Sequence, residues 1–158
     1  MTLAASRSYA GCLCGQHLTT TPKRHLVEPA LVTPLLGTRR AAVLRDPDLL
    51  GRLLDSFVVA QLRSELVVSR LGPRIYHLRQ ENGRHEVDLI LEFAAGRVIG
   101  IEIKAVTAPT RADGKHLAWL RDSLGDRFVA GLVLHAGPYS YPIDERLHAM
   151  PICALGSP

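Results

Sequence analysis

The chain has 158 residues, 47% hydrophobic and 22% charged, and this composition is typical of one globular domain rather than a disordered chain. No uncharged apolar run approaches the ~18–20 residues of a membrane-spanning helix, and no signal peptide is visible, so we expect no membrane contact. The net charge of +4 arises within residues 1–46, which hold six basic and two acidic side chains, whereas the remainder holds thirteen of each. A solvated basic arm explains this excess most simply, and contact with a polyanion is the alternative.

The chain contains three cysteines, an odd number that implies no closed disulfide framework. Cys12, Cys14 and His17 lack the spacing and the fourth ligand of a typical zinc knuckle. We therefore expect reduced cysteines in a cytoplasmic protein.

The first part of the chain carries weak structural signals. Residues 1–22 are rich in small and hydroxyl side chains and predict a poorly structured lead-in, which leaves residues 23–158 as the single domain. A short strand is predicted over residues 24–27, followed by a short helix that begins at Pro29 and ends at Gly37.

The signals become sharper in the expected core, residues 46–155. Asp46 is a good N-cap, Pro47 suits the first helical position, and apolar residues at helical spacing predict a helix that ends near Arg70. Further along, the pattern predicts strands over 75–78, 85–93, 97–104, 128–134 and 147–150, and a helix over 113–124. The order α-β-β-β-α-β indicates an α/β fold in which helices pack on a mixed sheet.

The central hairpin permits a register prediction. If residues 94–96 form a three-residue loop, facing residues sum to 190, and Asp88 faces Glu102. Alternation along both strands then places Val87, Leu89, Leu91 and Phe93 on one face with Ile99, Ile101 and Ile103. We expect this isoleucine face to be buried against a main helix. The opposite face carries Asp88 and Glu102 together with Lys104.

Two carboxylates facing each other repel, so some group must offset their charge. A divalent cation such as Mg²⁺ or Mn²⁺ bound by Asp88 and Glu102 would do so, because these ions prefer hard oxygen ligands. Lys104 would then stabilise developing negative charge, an arrangement suited to phosphodiester hydrolysis. The alternative is a solvated polar face in which Glu86 pairs with Lys104 and no metal binds.

Two observations favour the chemical interpretation. Lysine is scarce, with three lysines against sixteen arginines, so a lysine within an isoleucine-rich strand stands out. Asp55 lies close to the apolar stripe of the first long helix, where a carboxylate is costly unless it is paired or liganded. Asp55 is therefore a candidate third acid of the metal site, and the alternatives are a partly exposed acid or a partner for Arg52 or Arg63.

This set of motifs resembles a known superfamily. Asp55 on the first helix, Asp88, and the run Glu102-Ile103-Lys104 resemble the PD-(D/E)XK nuclease-like superfamily. Residues 22–155 are similar in particular to the C-terminal domain of unknown function of bacterial AAA-type ATP-binding proteins. One departure is Asp55, where that branch usually has glutamate. No G-x-x-x-x-G-K-[ST] run occurs in this sequence, so the chain resembles the tail of such a protein without its ATPase part.

The resemblance implies a restriction-endonuclease-like αβββαβ core, with Asp55, Asp88 and Glu102 as metal ligands and Lys104 beside them. We expect a Mg²⁺-dependent nuclease that acts on DNA or RNA with modest, salt-sensitive affinity. The alternative is a catalytically silent module of the same fold that docks an ATPase partner or forms a homodimer. On the metal-site interpretation, Asp88→Asn is expected to raise metal-free stability because it removes repulsion.

Overall fold

The structure, a computed structural model, describes residues 3–8, 22–80 and 83–156. Cys12, Cys14 and His17 lie outside these ranges. Across the described part of the chain, none of the helices combines the length and the apolar character that crossing a membrane requires.

The described chain contains runs of strands separated by helices. The strands are β1 (Leu3–Ser8), β2 (Lys23–Leu26), β3 (Arg74–Arg79), β4 (Glu86–Glu92), β5 (Val98–Lys104), β6 (Phe128–His135), β7 (Tyr141–Asp144) and β8 (Leu147–Pro151). The α-helices are α1 (Val32–Leu35), α2 (Arg40–Val43), α3 (Pro47–Val68) and α4 (Lys115–Leu124). From α3 onwards the predicted α-β-β-β-α-β order is confirmed, with β7 as an addition.

The strands form one mixed sheet in the order β2-β1-β3-β4-β5-β6-β8-β7. Strands β3, β4 and β5 are antiparallel neighbours, whereas β5, β6 and β8 run parallel. Helix α4 supplies the connection that a parallel β5–β6 pair needs. The predicted α/β class, with helices packed on a mixed sheet, is therefore confirmed.

Helix α3 begins where the sequence indicates. The Asp46 carboxylate accepts a hydrogen bond from the Leu49 N–H at 3.0 Å, and Pro47 occupies the first turn. The helix ends at Val68, two residues before the predicted Arg70. Together these signals fix the helix that carries Asp55.

One apolar core lies between α3 and the sheet. Ile101 and Ile103 are 1% and 8% exposed, and they pack in one cluster with Val58 and Val59 of α3. The prediction that the isoleucine face of β5 is buried against a main helix is confirmed for Ile101 and Ile103, whereas Ile99 is partly buried beside the same cluster. This packing sets β5 against α3, and β5 carries Glu102 and Lys104.

The other core lies under α4, where two glycines allow a close approach. A Cβ on Gly131 would lie 2.4 Å from Leu147 Cδ2, and a Cβ on Gly100 would lie 2.8 Å from Leu117 Cδ2. These separations are shorter than ordinary van der Waals contacts, so side chains at either position would push α4 or β8 away. The glycines therefore set the distance between α4 and the sheet.

Two strands were not expected from the sequence. Residues 3–8 form β1, which pairs with β2 and β3, so the prediction of a poorly structured lead-in is wrong for that segment. Residues 141–144 form β7, an edge strand beside β8. Neither segment has the clear apolar alternation that would predict a strand, so only the pairing with neighbouring strands reveals them.

A bulge in β4 corrects the predicted alternation. The β3–β4 register shifts between Tyr76–Ile90 and Leu78–Val87, so β4 has one extra residue there. Val87 consequently packs in the α4 core with Ile90, whereas Leu89 packs in the α3 core. The expectation that Val87 and Leu89 share a face is wrong, and the bulge spans the position of Asp88.

Candidate functional site

The central hairpin has the predicted register. Glu92 pairs with Val98, and the pairing continues in step to Leu89 and Ile101. Gly96 in the connecting turn has the positive φ expected of the last residue in a three-residue loop, and Ala95 before it also has positive φ. The hairpin therefore delivers Asp88 and Glu102 to the same end of neighbouring strands.

Asp88 is held by two hydrogen bonds in different directions. Its Oδ2 accepts from the Ile103 N–H at 3.0 Å, and its Oδ1 accepts from Lys23 Nζ at 2.9 Å. Although burial alone would raise the pKa of Asp88, the positive charge of Lys23 and these bonds hold that pKa below its usual value. Asp88 is therefore a carboxylate at neutral pH.

Lys23 also reaches the acid on the long helix. Its Nζ lies 2.9 Å from Asp55 Oδ2, so one ammonium bridges Asp55 and Asp88. Burial and the charge of Asp88 raise the pKa of Asp55, against the opposing effect of Lys23. The alternative that placed Asp55 with Arg52 is not borne out, because Arg52 pairs with Asp48 at 3.0 Å.

Glu102 is the most deeply buried of the three acids. The residue is 2% exposed, its Oε2 lies 3.2 Å from Lys104 Nζ, and its Oε1 is buried with no hydrogen-bond partner among the described residues. Burial and the charge of Asp88 raise the pKa of Glu102 to about 8. Lys104 pairs with Glu102 rather than with Glu86, which was the alternative. The Oε2 of Glu86 instead lies 3.7 Å from Arg79 Nε.

The cluster is close to electrical balance without any added ion. At pH 7 the raised pKa keeps Glu102 mostly protonated, which leaves Asp55 and Asp88 as the charged acids. Lys23 and Lys104 supply two positive charges, and the pKa of each is raised because its acidic partners outweigh the effect of burial. The repulsion predicted between facing carboxylates is therefore offset by lysines and a proton.

These groups line an open cleft of about 400 Å³ between α3, the ends of β4 and β5, and α4. All four predicted site residues and Lys23 contribute to its wall, together with Arg52 and His116. A larger hollow of about 770 Å³ lies along α4, but its Arg121 is neutralised by Asp122 and Asp144. The smaller cleft is the better candidate because it contains the unpaired oxygen of Glu102.

Two residues of the cleft were missed from the sequence. Lys23 was grouped with the basic N-terminal third, although the scarcity of lysine that drew attention to Lys104 applies equally to it. His116 approaches His85, with the two Nδ1 atoms 3.4 Å apart, and His85 stacks on Trp119 at 4.2 Å. Nothing in the local sequence distinguishes His116 from the other six histidines.

The carboxylates of the cleft are suitable ligands for a hard cation, but they are not already arranged around a cation position. Within the ranges that the structure describes, no three His, Cys, Asp or Glu side chains are already arranged to hold a metal ion. The Lys23 ammonium lies between Asp55 and Asp88, where a bridging cation would have to lie. The oxygen Oε1 of Glu102 is buried and has no hydrogen-bond partner among the described residues.

Comparison with known proteins gives a family but no activity. No curated protein matches the sequence. Residues 50–155 match the family described as "Domain of unknown function (DUF4143)", which is usually the C-terminal domain of AAA-type ATPases. The match includes Asp55, Asp88, Glu102 and Lys104, whereas Lys23 precedes it. Since the match covers more than half of the sequence, the chain belongs to the DUF4143 family.

Proposed function

We propose that the cleft is a divalent-cation site that hydrolyses phosphodiester bonds in DNA or RNA, and that the domain is a PD-(D/E)XK nuclease-like enzyme. Asp55, Asp88 and Glu102 would together hold Mg²⁺ or Mn²⁺. Lys104 would stabilise negative charge on the phosphate. The proposal gives each member of the cluster a chemical role.

The unpaired oxygen of Glu102 carries this proposal. A buried carboxyl oxygen without a partner loses its hydration and gains nothing in return, so such atoms are uncommon and point to a missing partner. Glu102 lines the open cleft together with Asp88, and its Oε1 is buried at this position. A cation bound by Asp88 and Glu102 would give that oxygen a partner and would take the place of the proton that Glu102 carries at neutral pH.

The bound cation would polarise the phosphate and activate a water molecule. Asp88 is already fixed for such a role, because the Ile103 N–H holds one of its oxygens. Lys104 has a side chain that is 34% exposed, so its ammonium can contact both Glu102 and a phosphate in the cleft. The two residues thus place negative and positive charge at neighbouring points of the wall.

A cleavage assay tests the proposal directly. The protein would be incubated with single-stranded and double-stranded DNA and with RNA, each in Mg²⁺, Mn²⁺ or EDTA. We expect cleavage that needs the cation, declines with salt, and falls at least about 100-fold in Glu102→Gln and in Lys104→Met, since electrostatic stabilisation contributes on this scale.

Glu92→Gln is the matched control, because Glu92 lies at the far end of the same β4 strand that carries Asp88. This variant should cleave as the wild type does. Cleavage that survives in both Glu102→Gln and Lys104→Met would assign the activity to a contaminant or to another site. Absence of cleavage on all substrates, in both metals, would contradict the catalytic proposal.

A docking module is the second candidate, and the apolar surface after β2 favours it. Leu31, Leu35 and Leu36 are 52%, 65% and 60% exposed, and such side chains are commonly covered by a partner protein. On this proposal the domain binds an ATPase or a second copy, and the lysines keep the cleft silent. Concentration-dependent dimerisation in light scattering, lost in Leu35→Ser, would favour it.

A further inference from the structure

Lys23 has an unusual position in the candidate site. Its ammonium lies 2.9 Å from a carboxylate oxygen of Asp55 and 2.9 Å from one of Asp88. A divalent cation that bridges the same two oxygens would need the same space, and it would also repel the ammonium. Occupation of this position by Lys23 and by a cation is therefore mutually exclusive.

The attachment of Lys23 allows it to move without unfolding the domain. Lys23 is the first residue of β2, an edge strand whose neighbour in the sheet is β1. The same strand is fixed further along, where the Leu26 N–H donates to Ser56 Oγ of α3 at 3.2 Å and His25 is 2% exposed. Rotation of the four-carbon side chain alone would take the ammonium out of the cleft, while the strand stays in place.

We propose that Lys23 is an internal counter-ion that closes the acidic cleft, and that a divalent cation opens the site by displacing its ammonium. This inference rests on the cation site of the proposed function and adds its regulation. It is supported by the geometry, since the Lys23 ammonium contacts an oxygen of each acid and its side chain is 26% exposed beside the open cleft. Lys104 remains in place beside Glu102 and is not the competing group.

Competition makes a quantitative prediction about cation affinity. In the wild type a cation must displace two charge-assisted contacts of Lys23, one to Asp55 and one to Asp88. Lys23→Met leaves Asp55 and Asp88 unpaired, so Mn²⁺ should bind this variant at least about tenfold more tightly than it binds the wild type. Lys23→Arg keeps the competing charge and should not gain affinity.

The first experiment is a calorimetric titration with Mn²⁺ alone. It compares the wild type, Lys23→Met and Lys23→Arg, with Lys115→Met as a control at an exposed lysine of α4. Circular dichroism verifies that each variant is folded. Tighter binding in Lys23→Met supports the inference. Equal affinity in the wild type and Lys23→Met overturns the inference and leaves the cation site standing. Absence of Mn²⁺ binding in both proteins overturns the cation site itself.

A second measurement uses the wild type and does not depend on the folding of any variant. With only three lysines, acetylation by acetic anhydride can be followed by mass spectrometry at each one. Without a cation, Lys23 should react slowly because its ammonium is held by Asp55 and Asp88. Mn²⁺ should raise its rate several-fold, with Lys115 unchanged as the internal reference. An unchanged rate at Lys23 under conditions where Mn²⁺ binds would overturn the displacement.

Discussion

The two ends of the cleft use lysine in different ways. At one end, Lys23 from an edge strand bridges two acids, and its side chain is 26% exposed. At the other end, Lys104 from the central β5 strand pairs with one acid, Glu102, which is almost fully buried. The Lys23 end is fully paired, whereas the Lys104 end leaves one carboxyl oxygen without a partner.

The comparison shows two ways in which a protein stabilises carboxyl groups that lie close together. Where an ammonium can reach both acids, the acids remain charged, and the pair depends on that ammonium. Where burial is deeper, the acid takes up a proton, and the pKa of Glu102 rises to about 8. The Lys23 end should therefore respond strongly to loss of its lysine, and the Lys104 end should respond strongly to pH.

The largest expected effect is that of Lys23→Met on stability. Without a cation, this substitution leaves Asp55 and Asp88 facing each other in a partly buried site. We expect the free energy of unfolding to fall by about 2–3 kcal/mol, because removing one partner of such a cluster leaves uncompensated charge. Urea denaturation in EDTA measures the change, with Lys115→Met as the control. A change no larger than that of the control would show that the bridge is only a surface contact.

The next effect is that of Asp88→Asn, for which the contacts reverse the expectation from sequence. Repulsion alone predicted a gain in metal-free stability. In the structure Asp88 bonds to Lys23 and to the Ile103 N–H, so we expect a loss of about 1–2 kcal/mol. The same denaturation experiment measures it, with Glu92→Gln as the matched acid on β4. A stabilised Asp88→Asn would restore the view that repulsion dominates this end.

At the Lys104 end of the cleft, we expect the free energy of unfolding to depend on pH. The pKa of Glu102 is about 8 in the folded protein and 4.5 ordinarily, so its proton is bound more tightly in the folded state. The free energy of unfolding should therefore decrease as pH rises through this window, by at most about 1.4 kcal/mol per pH unit. Glu102→Gln should abolish that slope in denaturation curves near pH 6.5 and pH 7.5.

The titration of His25 limits the pH range in which the slope due to Glu102 can be measured without interference. Burial, with nearby Lys23 and Arg63, lowers the pKa of His25 to about 4 from 6.5. This histidine must therefore bind a proton on unfolding below pH 6.5, which makes stability increase with pH between those two values. Above pH 6.5 this contribution declines, and it is small by about pH 7.5. His85 and His116, whose pKa values are also lowered, act in the same direction. A wild-type slope that persists in Glu102→Gln above pH 6.5 would assign the titration to another group.

The smallest expected effect is that of Lys104→Met. Loss of this ammonium leaves Glu102, which retains its proton instead of exposing a bare charge. We expect a loss of about 0.5–1 kcal/mol near pH 7, well below that of Lys23→Met. Thermal denaturation of the two variants side by side measures the difference. A larger loss in Lys104→Met would show that Glu102 is charged in the folded protein, and the comparison between the two ends would fail.

Local signals predicted much of the fold and most of the site. Asp46 and Pro47 fix the start of α3, and Gly96 fixes the hairpin turn, so the meeting of Asp88 with Glu102 follows from spacing. The cleft also contains Asp55, as its place near the apolar stripe of the helix indicated. The β4 bulge was not predictable, because it arises from the fit of β4 against β3 rather than from any residue in β4.

The sequence by itself determined the elements and the hairpin register, because capping, turn geometry and apolar periodicity act over a few neighbouring residues. Only the tertiary structure decided the electrostatic state of the cleft. Lys23 is separated by 65 residues from Asp88, and the edge strand that carries it has no local signal directing it there. The long-range pairing of β1 with β2 and β3 brings it to the cleft, where its charge replaces the cation that spacing alone suggested.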